Sequence, residues 1–100
     1  MLAHNVFFSL KDASPDNAQA LVHSCHKPLA GHEGETYFAA GTRAAYDREV
    51  NDKEFDVFLI IVFESHETHD AYQVSNRHNQ FIAENAIHWA KVRVFDADLS

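Results

Sequence analysis

The sequence predicts an α+β domain with a four-stranded antiparallel sheet, its elements in the order β-α-β-β-α-(α)-β. Three observations carry this. Four apolar segments (residues 4–10, 36–44, 55–63 and 91–96) have strand-like alternation or are apolar throughout. Helical periodicity separates the first from the second, and the third from the fourth. Only a charged stretch, 46–54, lies between the second and third. That order is the split βαβ, or ferredoxin-like, arrangement.

The first strand, His-Asn-Val-Phe-Phe-Ser-Leu, puts His4, Val6, Phe8 and Leu10 on one side. Asn5, Phe7 and Ser9 face the other. Ser14-Pro15-Asp16 then reads as a helix start: a hydroxyl cap, proline at the first helical position and an acid in the first turn. The helix extends to about Pro28. Its apolar stripe is Ala18, Leu21, Val22, Cys25 and Leu29, at spacings of three and four. His26 sits at the stripe's edge and His23 well outside it. Gly31 and Gly34 break the chain, and 36–44 reads as the second strand.

Residues 46–54 read as an exposed loop or hairpin end. The third strand, 55–63, is apolar on both sides. Phe55, Val57, Leu59, Ile61 and Phe63 form one face; Phe58, Ile60 and Val62 form the other. Antiparallel sheets commonly leave one face in water, so this strand needs cover on both. Helices supply one layer, and a second copy of the chain is the simplest source of the other. Residues 66–76 read as a short helix and 77–90 as a longer one, with His78, Phe81, Ile82, Asn85 and Trp89 on one face. Residues 91–96 close the sheet.

At 100 residues the chain is one small domain. Such a chain buries about two-thirds of its unfolded surface, so association would help it. It is 46% hydrophobic and 23% charged, which disfavours disorder. A net charge of −7 and the lack of any Lys/Arg run argue against nucleic acid or an anionic membrane as partner. Cys25 is the single cysteine, so no intrachain disulfide forms, and a free thiol fits a reducing compartment. The first residues lack the pattern of a signal peptide. The apolar run near residue 60 is about nine residues, whereas a bilayer takes about 20. A cytoplasmic location is expected.

Candidate chemistry centres on Tyr72 and His78. An imidazole can accept a proton near neutral pH, and a phenol can donate to a developing enolate oxygen. On the residues alone, the favoured reading is that Tyr72 is a core aromatic with a wet hydroxyl and His78 a helix-starting residue bonded to backbone. His4 alternates with Val6 and Phe8, so it is either a satisfied core group or an orienting partner. Phe81 and Trp89 are core residues or cavity walls. Eight histidines raise the question of metal. The pairs His23/His26 and His66/His69 have i, i+3 spacing but no evident third ligand. His23, His66, His69 and His88 read as solvated groups. The one arrangement retained is His4, His26 and His78, and no metal or other cofactor is expected.

In this order and spacing, a set of residues resembles the stress-responsive A/B barrel domain family of dimeric α+β barrels. The set is His4, the strand ending in Phe63-Glu64-Ser65, Ala71-Tyr72, His78, and Trp89 followed by Val92, Val94, Phe95 and Asp96. The resemblance covers about residues 3–97. It implies a homodimer whose sheets meet face to face. The family includes a plant polyketide cyclase that closes an aromatic ring by aldol condensation without a cofactor. By matching position it implies His78, Tyr72 and His4 as catalytic residues. It also implies Phe81, Trp89, Val92, Val94, Val22 and His26 as ligand-binding residues.

The chain departs from the cyclase pattern in three places. Ser75-Asn76-Arg77-His78 stands where the family usually reads His-Pro-x-His. Val57 replaces a histidine, and His26 an aromatic. The expectation is therefore a small-molecule-binding dimer. It would be a cofactor-independent cyclase, isomerase or lyase acting on a β-carbonyl or polyketide-like compound. A non-catalytic stress-associated dimer is the alternative. Fold analogy adds a monooxygenase-like or haem-handling role.

Overall fold

Side-chain alternation in the first strand decides which side of the sheet becomes the interior. In the computed structural model, which describes residues 1–100, His4, Val6, Phe8 and Leu10 are all buried while Asn5, Phe7 and Ser9 are half-exposed. The elements are β1 (Leu2–Leu10), α1 (Pro15–Leu29), β2 (Glu35–Thr42), β3 (Val57–Phe63), α2 (His66–Gln73) and α3 (Asn76–Asn85). A single 3₁₀ turn (Ala86–His88) then leads into β4 (Trp89–Asp98). The sheet order is β2-β3-β1-β4, antiparallel throughout. This is the ferredoxin-like α+β arrangement expected.

The first helix forms where its local signals place it. Ser14 Oγ accepts the Asn17 N–H at 3.1 Å, and Pro15 opens the first turn. Ala18, Leu21, Val22, Cys25 and Leu29 are buried against the sheet. Gly31 and Gly34 take φ of 79° and 85°, a region that strains other residues. At Gly34 a Cβ would also collide with the Thr68 side chain. The Glu35 carboxylate accepts the Gly31 and His32 N–H groups, both at 2.9 Å, and ties the turn to β2. On β3, Val57, Leu59, Ile61 and Phe63 complete the core.

β1 begins two residues earlier than the sequence reading, β2 ends at Thr42 and α2 at Gln73; the differences that matter for the site are at β3, α3 and β4. β3 begins at Val57, and Phe55 lies on the outer side of the sheet, its ring 5.0 Å from that of Phe7. Asp56 is the cause. Its N–H bonds Phe8 O at 2.7 Å and its carboxylate accepts Leu10 N–H at 2.8 Å, which turns the chain before the strand starts. α3 stops at Asn85, five residues before the expected end, with the Asn85 amide donating to Phe81 O at 2.9 Å. The 3₁₀ turn follows, and Trp89 is the first residue of β4, paired with Leu10. β4 itself runs from Trp89 to Asp98, longer than 91–96 at both ends.

The helices cover one face of the sheet, and cover it incompletely. Val92 and Val94 lie opposite Phe8 and Val6 on the inner face, yet they are 37% and 50% exposed. No helix lies close over the β4 edge. The outer face is largely apolar and carries no helix; Phe7, Phe58 and Ile60 on it are half-buried and Phe95 is exposed. The ring of Phe7 meets those of Phe55, Phe58 and Phe95 at 4.8–5.8 Å, and the Arg93 guanidinium lies 5.8 Å and 5.9 Å from the Phe7 and Phe95 rings. No helix is long and apolar enough to cross a membrane.

Candidate functional site

The gap over β4 is a cavity of about 420 Å³ between that strand and helices α2 and α3. Most of its lining is apolar, including Phe81, Trp89, Val92 and Val94. Its polar end holds His4, His69, Tyr72, Gln73, His78 and Asp96. No lysine or arginine lines it. A depression of about 490 Å³, bordered by Lys11, Asp12, Asn17, Ser24 and Asn85, holds none of the clustered imidazoles around Tyr72.

Each polar side chain arrives from a different part of the fold. His4 projects from β1 and its Nδ1–H donates to Asp96 Oδ1 at 2.6 Å, directly across the β1–β4 pair. Tyr72 lies in the last turn of α2 and is almost wholly buried. Its ring centroid is 4.8 Å from that of His78, 5.0 Å from His32, 5.1 Å from Phe63 and 5.8 Å from His4. Ser75 caps α3, its Oγ accepting the His78 N–H at 3.2 Å, so His78 stands in the first turn. Phe81, one turn on, meets Phe8 and Trp89 at 6.3 Å and 5.7 Å.

His69 corrects the sequence reading that made it a solvated group. Its side chain is only 12% exposed. Its Nε2 lies 3.3 Å from His4 Nδ1, 3.3 Å from the Gln73 amide nitrogen and 4.0 Å from Asp96 Oδ1. Spacing held a signal for this: His69, Tyr72 and Gln73 fall at i, i+3 and i+4 on one helix face. Asp96 likewise continues the inward alternation of Val92 and Val94. His32 was also not singled out; its Nε2–H donates to Pro28 O at 2.8 Å. His23, His66 and His88 are exposed.

Two expected ligand-binding residues lie elsewhere. Val22 is buried in the core. His26 is exposed, its ring 5.2 Å from Phe38 on β2. β2 is the sheet edge opposite β4, so the trio His4, His26 and His78 does not assemble.

Burial sets the protonation states. Desolvation lowers the His4 pKa below 6.5, opposed by the hydrogen bond and charge of Asp96. Desolvation also lowers His78, reinforced by His4, His32 and His69. The start of a helix disfavours an imidazolium as well. Burial raises the Tyr72 phenol. At neutral pH the cavity therefore offers neutral imidazoles at His4 and His78 and a protonated phenol at Tyr72. His78 Nδ1 and Trp89 Nε1 are buried with no hydrogen-bond partner, and such groups are uncommon in folded proteins.

A ferredoxin-like domain with a cavity between its helices and an edge strand is the class that this geometry defines. The family model of the stress responsive A/B barrel domain matches residues 2–99, and the chain belongs to that family. No curated protein sequence matches it. Among solved structures, an Arabidopsis thaliana protein is similar, at 22% identity and TM-score 0.81, over 100% of this chain and 96% of that one. A dimeric ferredoxin-like protein of unknown function from Thermobifida fusca is 19% identical, with TM-score 0.78, over 98% and 90%. A hydroxynitrile lyase from Passiflora edulis is 17% identical, with TM-score 0.77, over 99% and 93%. At these identities the likeness is one of fold.

Proposed function

We propose that the chain is a homodimeric small-molecule-binding protein whose cavity performs acid/base chemistry with its own side chains on a neutral carbonyl compound. One observation carries the reading: His4, Tyr72 and His78 converge on one apolar-walled cavity of about 420 Å³, within the range of drug-sized sites. In this mechanism the neutral His78 imidazole takes a proton from carbon next to a carbonyl. The Tyr72 hydroxyl donates to the enolate oxygen as charge develops there. His4, held by Asp96, orients the pair. Aldol-type cyclisation and isomerisation begin with such a step; in cyanohydrin cleavage the same base would take the hydroxyl proton as the C–C bond breaks and cyanide leaves.

A β-carbonyl ligand suits the site because its acidic C–H needs only a weak base. The absence of lysine and arginine from the lining favours an uncharged ligand. The fold relative named a hydroxynitrile lyase keeps lyase chemistry in view. The apolar outer face and the dimeric relative from Thermobifida fusca support assembly through that face.

The test is a screen of β-diketones, β-keto esters and cyanohydrins with wild type, His78→Ala and Tyr72→Phe. Turnover in the wild type should fall roughly 10²-fold or more in His78→Ala, with its melting curve little changed. Binding without turnover in the wild type would favour the non-catalytic role. Unfolding of His78→Ala, with Tyr72→Phe as active as wild type, would leave His78 a core residue.

A further inference from the structure

We propose that His4, His69 and Asp96 form a binding site for a divalent transition-metal ion, of the zinc or iron(II) type. One ligand atom from each, His4 Nδ1, His69 Nε2 and Asp96 Oδ1, lies within 4.8 Å of the other two. Two imidazole nitrogens and one carboxylate oxygen are a donor set that these ions accept.

The separations of His69 Nε2 from the other two atoms are 3.3 Å and 4.0 Å. Tetrahedral zinc with bonds of about 2.0–2.1 Å would place its ligands about 3.4 Å apart. The His4–Asp96 distance of 2.6 Å is that of a hydrogen bond, and it would open once a cation replaced the shared proton. That proton can serve Asp96 or His69 but not both, so without an ion the His69 nitrogen is left to the Gln73 amide.

The surroundings fit ligands rather than a chance cluster. His69 Nδ1–H donates to Asp70 Oδ1 at 3.2 Å, leaving a lone pair on the inward Nε2. Metal-bound histidines commonly have such a carboxylate behind them. Gln73 lies 3.4 Å from His4 Nε2; rotation of its amide would present an oxygen to the N–H there once Nδ1 is bare. The three ligands come from β1, α2 and β4, which hold them in place. Asp96, at 39% exposure, gives an ion a path from solvent, and the cavity leaves room for a further ligand. By contrast, His66 of the same helix turns away to pair with Asp98.

This goes beyond the sequence expectation of no metal and does not depend on His78 acting as a base. The test is titration of chelator-stripped protein with cobalt(II), read by its visible absorption, with zinc(II) competition. We expect one ion per chain, displaced by zinc. His69→Gln and Asp96→Asn should each weaken binding by more than the roughly 10–100-fold that loss of a partner behind a ligand costs, while His66→Gln and His78→Ala bind as wild type. Melting curves confirm that each variant is folded, and either ligand variant alone decides the matter if the other is not. Failure of the wild type to bind cobalt would overturn the proposal, as would binding that survives His69→Gln but is lost in His66→Gln. Because His78→Ala keeps the ion, this site and the acid/base reading fail separately.

Discussion

Burial around His78 makes protonation a cost to the fold. Its pKa in the folded chain lies below 6.5, so below pH 6.5 the unfolded chain takes up the proton more readily. The stability it contributes is therefore complete above the unfolded value and lost as pH falls through the lower, folded one. His4 shifts in the same direction, and His32, His69 and Tyr72 face the same space. The drop in Tm between about pH 7.5 and about pH 5 should be smaller in His78→Gln than in wild type. Thermal melts at the two values check this; equal drops would show that His78 is not a contributor. Cys25 stands apart from this cluster, since burial pushes its thiol up to about 12 and leaves it a packing residue.

Among the elements, α1 shows how far local signals reach. Its cap, its proline and its stripe at three and four were all legible, and Ser14→Ala should cost about 1 kcal/mol through loss of the capping bond. Chemical denaturation checks that, and a midpoint unchanged from wild type would mean that the cap is redundant. The end of α3 was not legible. Ala86-Ile87-His88 continues the helical period, so nothing local marks the 3₁₀ turn, and only pairing with Leu10 claims Trp89 for β4. Trp89 nevertheless meets Phe81, though from a strand and not from the helix. Half of the polar end was hidden for a related reason. His69 sits in a polar stretch that reads as a wet helix face, and its partner His4 is 65 residues away in sequence. His4 and Asp96 are 92 apart. A window along the chain cannot show contacts that only the strand order creates.

As a whole the molecule has two apolar surfaces with different fates. The inner one is roofed by helices except along β4. The outer one, with Phe7, Phe58 and Phe95, has no helix over it and is covered within the chain only where Phe55 and the segment at Asp52–Glu54 lie against it. A stable interface buries about 1,200–2,000 Å² in total, about 800 Å² from each partner, which this sheet face would have to supply. Wild type should sediment at twice the 11.3 kDa chain mass. Phe58→Asp, which sets a carboxylate amid those rings, should sediment as a monomer while still binding any ligand of the opposite face. Analytical ultracentrifugation checks both; a dimer that persists in Phe58→Asp would place the interface elsewhere.

The uncovered stretch of β4 separates two tasks that most small domains must combine. Val92 and Val94 wall the cavity but do not belong to the buried core. Exchanging them alters what fits beside His78 while removing little of what keeps the chain folded. Because most substitutions are limited by the stability they cost, this strand edge is where descendants of the sequence can acquire new ligand preferences with the scaffold intact.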